Sequence, residues 1–136
     1  MPLKRIYHKD KLLHIVCTPE DFSKERTDIV DANQFIQCSF LRMENGKTFR
    51  PHKHIWKKPS FTQTIAQESW VVIRGSVKAH FFDTDMQLLE THILQAGDAS
   101  FTLEGGHTYE ILEDDTLVYE YKTGPYEGQE KDKVFE

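Results

Sequence analysis

Apolar and polar residues alternate along short stretches of the chain from residue 34 onward, a two-residue period typical of half-buried β-strands. Such stretches recur at intervals of about ten residues and are separated by turn-forming residues. Together with a run of β-forming residues at 35–43 and an apolar run at 69–73, they predict strands at 35–43, 48–56, 69–73, 77–82, 87–94, 100–103, 108–112 and 116–121. No long stretch has the period of an amphipathic helix. The pattern therefore predicts an all-β sandwich or barrel.

The N-terminal residues follow a less regular pattern. A short strand is predicted at 12–17, and Thr18 followed by Pro19 and two acidic residues is typical of the start of a helix. This predicted helix is only about one or two turns long. The resulting division is an N-terminal arm at 1–33, a β-barrel domain at 34–126 and a polar C-terminal tail at 127–136.

Composition narrows the class of protein. The chain has 136 residues, of which 38% are hydrophobic and 29% are charged, and this suits one globular domain. A formal net charge of −5 disfavours general nucleic-acid binding, since such surfaces are usually strongly basic. Cys17 and Cys38 are too few for a disulfide framework, and charges interrupt the N-terminal residues where a signal or membrane segment would be apolar. We therefore expect a cytoplasmic protein that binds neither nucleic acid nor membranes.

The sequence Arg50-Pro51-His52-Lys53-His54 lies on the predicted strand 48–56. Alternation would point Arg50, His52 and His54 to one face, so both imidazoles could reach the same ion. Taken alone, a pair of histidines at this spacing is also consistent with exposed strand residues.

Two further candidate ligands come later in the chain. Glu68 directly precedes the apolar strand at 69–73, and His107 follows Gly105 and Gly106. Two glycines permit a sharp turn that would aim His107 inward. Taken alone, Glu68 fits a solvated strand end better than a ligand, and His107 is also consistent with a surface turn.

The order of these residues resembles the two sequence motifs of the cupin superfamily. The first motif is matched by Gly46, His52, His54, Glu68 and Gly75, and the second is matched in part by Gly97, Gly105 and His107. The chain differs from the family pattern in the 13 residues between His54 and Glu68, and in Leu103 where proline is usual. The longer gap leaves Gln67 open as an alternative fourth ligand.

The resemblance implies a single double-stranded β-helix, or jelly-roll, barrel preceded by a short N-terminal arm. It implies one divalent transition metal ion held by His52, His54, Glu68 and His107. Three imidazoles and one carboxylate suit Fe(II), Mn(II), Ni(II), Zn(II) or Co(II). Because similar proteins often dimerise, a homodimer is expected, with the N-terminal arm and the strand before the first motif at its interface.

A small-molecule pocket is expected beside the predicted metal. The additional segment 55–67 contains aromatic and basic residues, Lys57 among them, and is predicted to lie near the barrel mouth. An inward-pointing Arg50 needs a partner, which is either an anionic ligand or an internal acid such as Glu68 or Glu120.

Two aromatic residues are candidate walls of this pocket. Trp70 and Tyr109 share faces with predicted ligands, although core packing is the commoner role for such residues. The sequences at 49–54, 67–72 and 105–126 also resemble, more loosely, small cupins found with surface-polysaccharide biosynthesis genes. That likeness implies a sugar or nucleotide-sugar ligand.

Three functions follow from these observations. The first is a metal-binding cupin that acts on or binds a small polar, anionic metabolite, with isomerase, epimerase or dioxygenase chemistry if it is an enzyme. The second is a metal-free sugar epimerase or isomerase similar to the dTDP-sugar 3,5-epimerases, which use a His/Asp base and a tyrosine acid; Tyr109 and a histidine could take these roles. The third is a non-catalytic ligand-binding module, because a fold alone does not name a reaction.

Overall fold

The computed structural model describes residues 3–125 and 127–135. Within these ranges the chain forms ten β-strands and two single-turn 3₁₀-helices, at Pro19–Asp21 and Gln129–Lys131. The strands are β1 (Lys4–His8), β2 (Lys11–Cys17), β3 (Arg26–Asp28), β4 (Ser39–Leu41), β5 (Glu68–Arg74), β6 (Ser76–Phe82), β7 (Leu88–Gln95), β8 (Ala99–Thr102), β9 (Gly106–Ile111) and β10 (Leu117–Lys122). The prediction of an all-β chain is confirmed.

The strands form three antiparallel sheets. The largest has five strands in the order β1-β2-β8-β5-β10, the second has the order β7-β6-β9, and the third pairs β3 with β4. Among the described residues, none of the three sheets closes into a barrel. Residue 126, at the predicted end of the β-domain, lies outside the described residues, as do residues 1, 2 and 136.

The five-stranded and three-stranded sheets pack face to face around a buried apolar cluster. The five-stranded sheet supplies Ile6, Val16 and Val72, and the three-stranded sheet supplies Val77, Ala79, Phe81 and Leu94. Full burial of one such large side chain stabilises the fold by roughly 1.5–3 kcal/mol. This cluster fixes the spacing of the two sheets, and it thereby positions the polar residues that lie beside it.

The opposite face of the five-stranded sheet is covered by the segment 18–40. Phe22, Ile29, Val30 and Ile36 of that segment pack against Ile15, Cys17, Ala99, Phe101 and Leu103. The two thiols are not joined: Cys17 is buried and Cys38 is half-buried. No helix among the described residues is long and apolar enough to cross a membrane.

Most predicted strands form close to their expected positions. The strands predicted at 12–17, 69–73, 77–82, 87–94, 100–103, 108–112 and 116–121 correspond to β2, β5, β6, β7, β8, β9 and β10. The predicted helix start at Thr18 is also present, but the helix is a single 3₁₀ turn. It buries no side chain, so nothing in the packing favours its extension. Strands β1 and β2 of the predicted N-terminal arm belong to the five-stranded sheet.

The predicted strand at 48–56 is wrong, and only Ser39–Leu41 of the predicted strand 35–43 is extended in a sheet. The turn at Gly46 does form, with a φ of 93° and a hydrogen bond from the Lys47 N–H to the Glu44 carbonyl at 3.2 Å. No strand follows it, because Pro51 lacks a backbone donor and lies among four basic residues, and the nearby Phe49 and Trp56 have no apolar partner to pack against.

This difference changes the expected orientation of Arg50. Residues 42–67 contain no strand, so the predicted alternation of Arg50, His52 and His54 on one pleated face is wrong. All three side chains are exposed, and Arg50 does not point into the interior. We call residues 42–67 the irregular segment below.

Candidate functional site

A group of polar and aromatic side chains lies between the two large sheets, beside the apolar cluster. Cross-strand pairing places His14, Thr102, Glu68 and Lys122 in one row across β2, β8, β5 and β10. Side chains of β9, in the three-stranded sheet, contact this row from the opposite side. We call Glu68, Trp70, His107, Tyr109 and Glu120 the polar cluster.

The central contact of the polar cluster joins Glu68 and His107. Glu68 Oε2 lies 3.3 Å from His107 Nε2, and the two side chains are 19% and 20% exposed. Strand β5 supplies the carboxylate and strand β9 supplies the imidazole, so the packing of the two sheets brings them together. Both side chains are therefore mostly buried between the sheets, and a small part of each remains exposed to solvent.

The glycine turn before β9 aims His107 inward, as predicted. Gly105 has a φ of 95°, and a Cβ added there would lie 2.6 Å from the Phe82 carbonyl oxygen. Only glycine combines this backbone conformation with so close an approach. The turn thus sets the start of β9 against the end of β6.

The second ring nitrogen of His107 is held by hydroxyl groups. His107 Nδ1 lies 2.8 Å from Thr102 Oγ1 and 3.3 Å from the hydroxyl of Tyr109. That phenol is also 3.1 Å from Ser100 Oγ. Burial is the main reason that the pKa of Tyr109 is raised above its usual value, so this phenol stays protonated at neutral pH.

A second buried histidine lies behind Thr102. His14 Nδ1 is 2.9 Å from Thr102 Oγ1, and His14 Nε2 is 2.9 Å from the Phe82 carbonyl oxygen. His14 is completely buried, and burial is the main reason that its pKa is lowered to about 4. His14 is therefore a neutral imidazole at neutral pH.

Glu68 and Glu120 form a carboxyl pair at the open side of the polar cluster. Burial disfavours the charged form of Glu68, but hydrogen bonds with His107 and Glu120 and the charge of His107 outweigh it and lower the Glu68 pKa to about 2. The hydrogen bond with Glu68 raises the pKa of Glu120, whose carboxyl also accepts the Trp70 indole N–H at 2.9 Å. Glu68 is the ionised member of the pair.

Trp70 and Tyr109 lie in the same cluster, as their alternation with Glu68 and His107 predicted. The two rings stack with centroids 3.9 Å apart and an interplanar angle of 5°. Both residues are half-buried. They belong to the polar cluster and also pack against the edge of the apolar core. Their proposed contact with a ligand stays a prediction.

The other two predicted metal ligands lie in the irregular segment. His52 and His54 are exposed, and their ring centroids are 5.3 Å apart. The four predicted ligands thus occur as two pairs, His52 with His54 and Glu68 with His107. In residues 3–125 and 127–135, no group of three or more His, Cys, Asp or Glu side chains is arranged to hold a metal ion. Arg50 and Lys57, predicted to bind a substrate, are both exposed.

Gln67, the alternative fourth ligand, has a different environment from Glu68. Its side-chain oxygen accepts the Ile36 N–H at 2.8 Å, and its amide nitrogen donates to Gln34 Oε1 at 2.8 Å and to the Leu103 carbonyl at 3.2 Å. The Gln67 side chain is buried and satisfied by these bonds. Gln67 thus connects the segment 18–40 to the five-stranded sheet through hydrogen bonds.

Sequence reasoning did not identify His14, Thr102 or Ser100 as members of this site. The available signal was His14 itself, which stands within the apolar stretch Leu12 to Val16. A polar side chain in a buried strand needs a hydrogen-bond partner, so its position predicts a polar neighbour across the sheet.

A cleft of about 670 Å³ opens beside the polar cluster, at the ends of β5 and β10. Its lining includes Phe35, Phe61, Ile65, Pro125, Lys131 and Asp132. Lys122, which pairs across the ladder with Glu68, lies 3.9 Å from the Asp132 carboxylate through its Nζ atom. The cleft therefore adjoins the polar cluster, and none of the residues of the polar cluster lines it.

The Glu68–His107 pair offers two kinds of chemistry. An imidazole and a carboxylate that converge can bind a divalent ion, or they can transfer a proton with a neutral tyrosine nearby. No family model, curated protein or solved structure matches this chain.

Proposed function

We propose that this chain is a metal-binding protein of the cupin type that acts on, or binds, a small polar, anionic metabolite. The observation that carries the proposal is the convergence of Glu68 and His107 from two facing sheets, with Oε2 and Nε2 3.3 Å apart. These are two of the four residues that the sequence motifs select as ligands. The two antiparallel sheets that face each other across one core would be the two halves of a jelly-roll fold.

The donor set suits a borderline divalent transition ion. His107 and Glu68 would supply one imidazole nitrogen and one carboxylate oxygen, and His52 and His54 would supply two more imidazoles. The side chain of Gln67 is already used in hydrogen bonds to the segment 18–40, and this favours Glu68 over Gln67 as the fourth ligand. When bound, such an ion polarises a ligand oxygen as a Lewis acid.

The proposal requires the irregular segment to bring His52 and His54 to the pair. The 13 residues between His54 and Glu68 contain no strand and can span up to roughly 40 Å when extended. This reach exceeds the width of a small domain, so the chain length does not oppose the closure. Arg50 and Lys57 would then accompany the histidines and supply positive charge for an anionic ligand such as a sugar nucleotide.

A specific observation supports a second candidate, a metal-free sugar epimerase or isomerase. His107 contacts the Glu68 carboxylate through one nitrogen and lies 3.3 Å from the neutral Tyr109 hydroxyl through the other. A histidine oriented by a carboxylate and a protonated tyrosine are the groups that such proton transfers need. This candidate makes no use of His52 and His54.

Metal content and affinity distinguish the two candidates. Purified wild type should contain about one divalent ion per chain, and His107→Gln, Glu68→Gln and His52→Gln should each weaken Zn²⁺ or Mn²⁺ binding by at least about tenfold in calorimetric titrations. His80→Gln is a matched control, because His80 lies outside the cluster and bonds Thr91. Equal affinity in His107→Gln and wild type would overturn the metal proposal.

The second candidate has its own readout. In D₂O, an epimerase would exchange a carbon-bound hydrogen of a sugar nucleotide in metal-free protein, and Tyr109→Phe and His107→Gln would abolish that exchange. Exchange that persists in a chelator and is lost in both variants would favour the metal-free function.

A further inference from the structure

A continuous line of hydrogen bonds runs from the backbone of β6 to the ring of His107. The Phe82 carbonyl oxygen lies 2.9 Å from His14 Nε2, His14 Nδ1 lies 2.9 Å from Thr102 Oγ1, and Thr102 Oγ1 lies 2.8 Å from His107 Nδ1. His14 is 0% exposed and Thr102 is 6% exposed, so water does not compete for these bonds. We call this line the His14 relay.

The carbonyl at one end fixes the direction of the first two bonds. A carbonyl oxygen only accepts, so His14 Nε2 must carry a hydrogen and donate it to Phe82. Because burial keeps His14 neutral, its Nδ1 has no hydrogen and accepts. The single hydroxyl hydrogen of Thr102 therefore points to His14.

The remaining bond is then determined as well. With its hydrogen used, Thr102 Oγ1 can only accept, so His107 Nδ1 must carry a hydrogen and donate it across 2.8 Å. The Tyr109 hydroxyl oxygen, 3.3 Å from the same nitrogen, is a second acceptor for this hydrogen, and it also lies 3.1 Å from Ser100 Oγ. In neutral His107 the lone pair thus lies on Nε2, which faces Glu68 Oε2.

We infer that His14 and Thr102 are positioning residues that hold His107 in its Nδ1–H form and so present Nε2, beside Glu68, to a divalent cation. With Nδ1–H committed to Thr102, the 3.3 Å gap between Nε2 and Glu68 Oε2 is filled in metal-free protein by a hydrogen on Nε2, and a divalent cation would displace that proton and take its place between the same two atoms. A hydrogen bond to the ring nitrogen that does not bind metal orients the imidazole and strengthens its donor atom. The inference rests on the proposed function, because it assigns a cation to this pair.

The first test reads the hydrogens directly in metal-free protein. Long-range ¹H–¹⁵N spectra of ¹⁵N-labelled protein at pH 7.5 should show a protonated Nε2 with an unprotonated Nδ1 for His14, and a slowly exchanging Nδ1–H for His107. In Thr102→Val, which has nearly the same shape without the hydroxyl, the His107 Nδ1–H signal should broaden or disappear. A hydrogen found on His14 Nδ1, or none on His107 Nδ1, overturns the inference and leaves the proposed function standing.

The second test measures Zn²⁺ affinity by calorimetry. Thr102→Val should weaken binding by roughly 10- to 100-fold, the range typical for loss of such an outer hydrogen bond, and Thr102→Ser should restore it. The matched control is Thr91→Val, which removes a hydroxyl bonded to His80 Nδ1 at 3.0 Å outside the cluster and should leave affinity unchanged.

Three results separate the possible failures. Unchanged affinity in Thr102→Val overturns the inference while wild-type binding upholds the proposed function. Loss of affinity in both Thr102→Val and Thr102→Ser, with both proteins folded, also overturns it, because the hydroxyl would then not be the important group. Absence of Zn²⁺ binding by wild type overturns the proposed function and the assigned cation together.

Discussion

The indole of Trp70 lies flat against the phenol of Tyr109, with ring centroids 3.9 Å apart, and this stack joins the five-stranded sheet to the three-stranded sheet. The same indole donates its N–H to Glu120. Trp70 thus packs on Tyr109, which contacts His107. Its indole also donates to Glu120, whose carboxyl contacts Glu68. Trp70 links the apolar and polar halves of the interior.

Replacement of Trp70 should destabilise the protein measurably. Trp70→Leu removes the stack and the hydrogen bond to Glu120, and we expect a loss of about 1–2 kcal/mol in the free energy of unfolding, measured in urea. Trp56, the other tryptophan, is fully exposed, so Trp56→Leu is the matched control and should change stability by less than about 0.5 kcal/mol. Equal effects of the two substitutions would contradict the stacked arrangement.

The burial of His14 predicts that stability decreases in mild acid. The folded-state pKa of about 4 lies below the usual value of 6.5, mainly because of burial. Between these values the unfolded chain binds a proton at this imidazole and the folded protein does not, so the free energy of unfolding falls as pH falls from about 6.5 towards 4. The full contribution is roughly 3 kcal/mol.

Urea unfolding at a series of pH values measures this contribution. The decrease should be largely absent in His14→Gln, whose side chain does not titrate, and should persist in His80→Gln. A His14→Gln protein that loses stability as steeply as wild type would show that other groups cause the acid sensitivity.

The turn before β9 should not tolerate a side chain at Gly105. Gly105→Ala combines a positive φ with a Cβ only 2.6 Å from the Phe82 carbonyl oxygen and 3.3 Å from His14 Nε2. Gly46→Ala is a close control, because Gly46 has a φ of 93° with nothing within 4 Å of an added Cβ. We expect Gly105→Ala to be the more destabilising by about 1–3 kcal/mol in thermal or urea unfolding. Similar losses in both variants would show that φ alone matters.

Gln67 and Glu68 should differ in what their substitution disturbs. Gln67→Leu leaves the buried Ile36 N–H without its partner, which should cost about 1–3 kcal/mol of stability while metal binding is retained. Glu68→Gln should instead lower metal affinity with a smaller change in stability. Paired measurements of urea unfolding and metal content test this. Loss of the metal in Gln67→Leu, with the fold intact, would make Gln67 the ligand.

Local sequence patterns were sufficient to predict β5, from an apolar run, and β6, from alternation. In β6, Val77, Ala79 and Phe81 alternate with other residues and so share one face. Burial of that face against the opposite sheet stabilises the strand. The stretch around Phe49 and Trp56 contains strand-forming residues too, but it has no apolar partner to bury them against, so propensity alone did not make a strand.

The candidate site was predicted only in part for a similar reason. The motif spacing selected Glu68 and His107, and the folded sheets do bring these two into contact. His14 and Thr102 join the site through cross-strand pairing of β2 with β8, a long-range relationship that no local spacing encodes. Whether His52 and His54 complete the metal site stays a prediction.

The irregular segment has a consequence for the integrity of the polypeptide. It is exposed and contains no strand, so a single break introduced after Lys57 should leave the sheets folded. The two pieces would stay together, because β2 on the upstream piece pairs with β8 on the downstream piece. The chain can therefore be divided at this point into two halves that complement each other. His52 and His54 would lie on one half, and Glu68 and His107 on the other. A metal ion bound by all four would join the halves, so their reassembly would depend on metal.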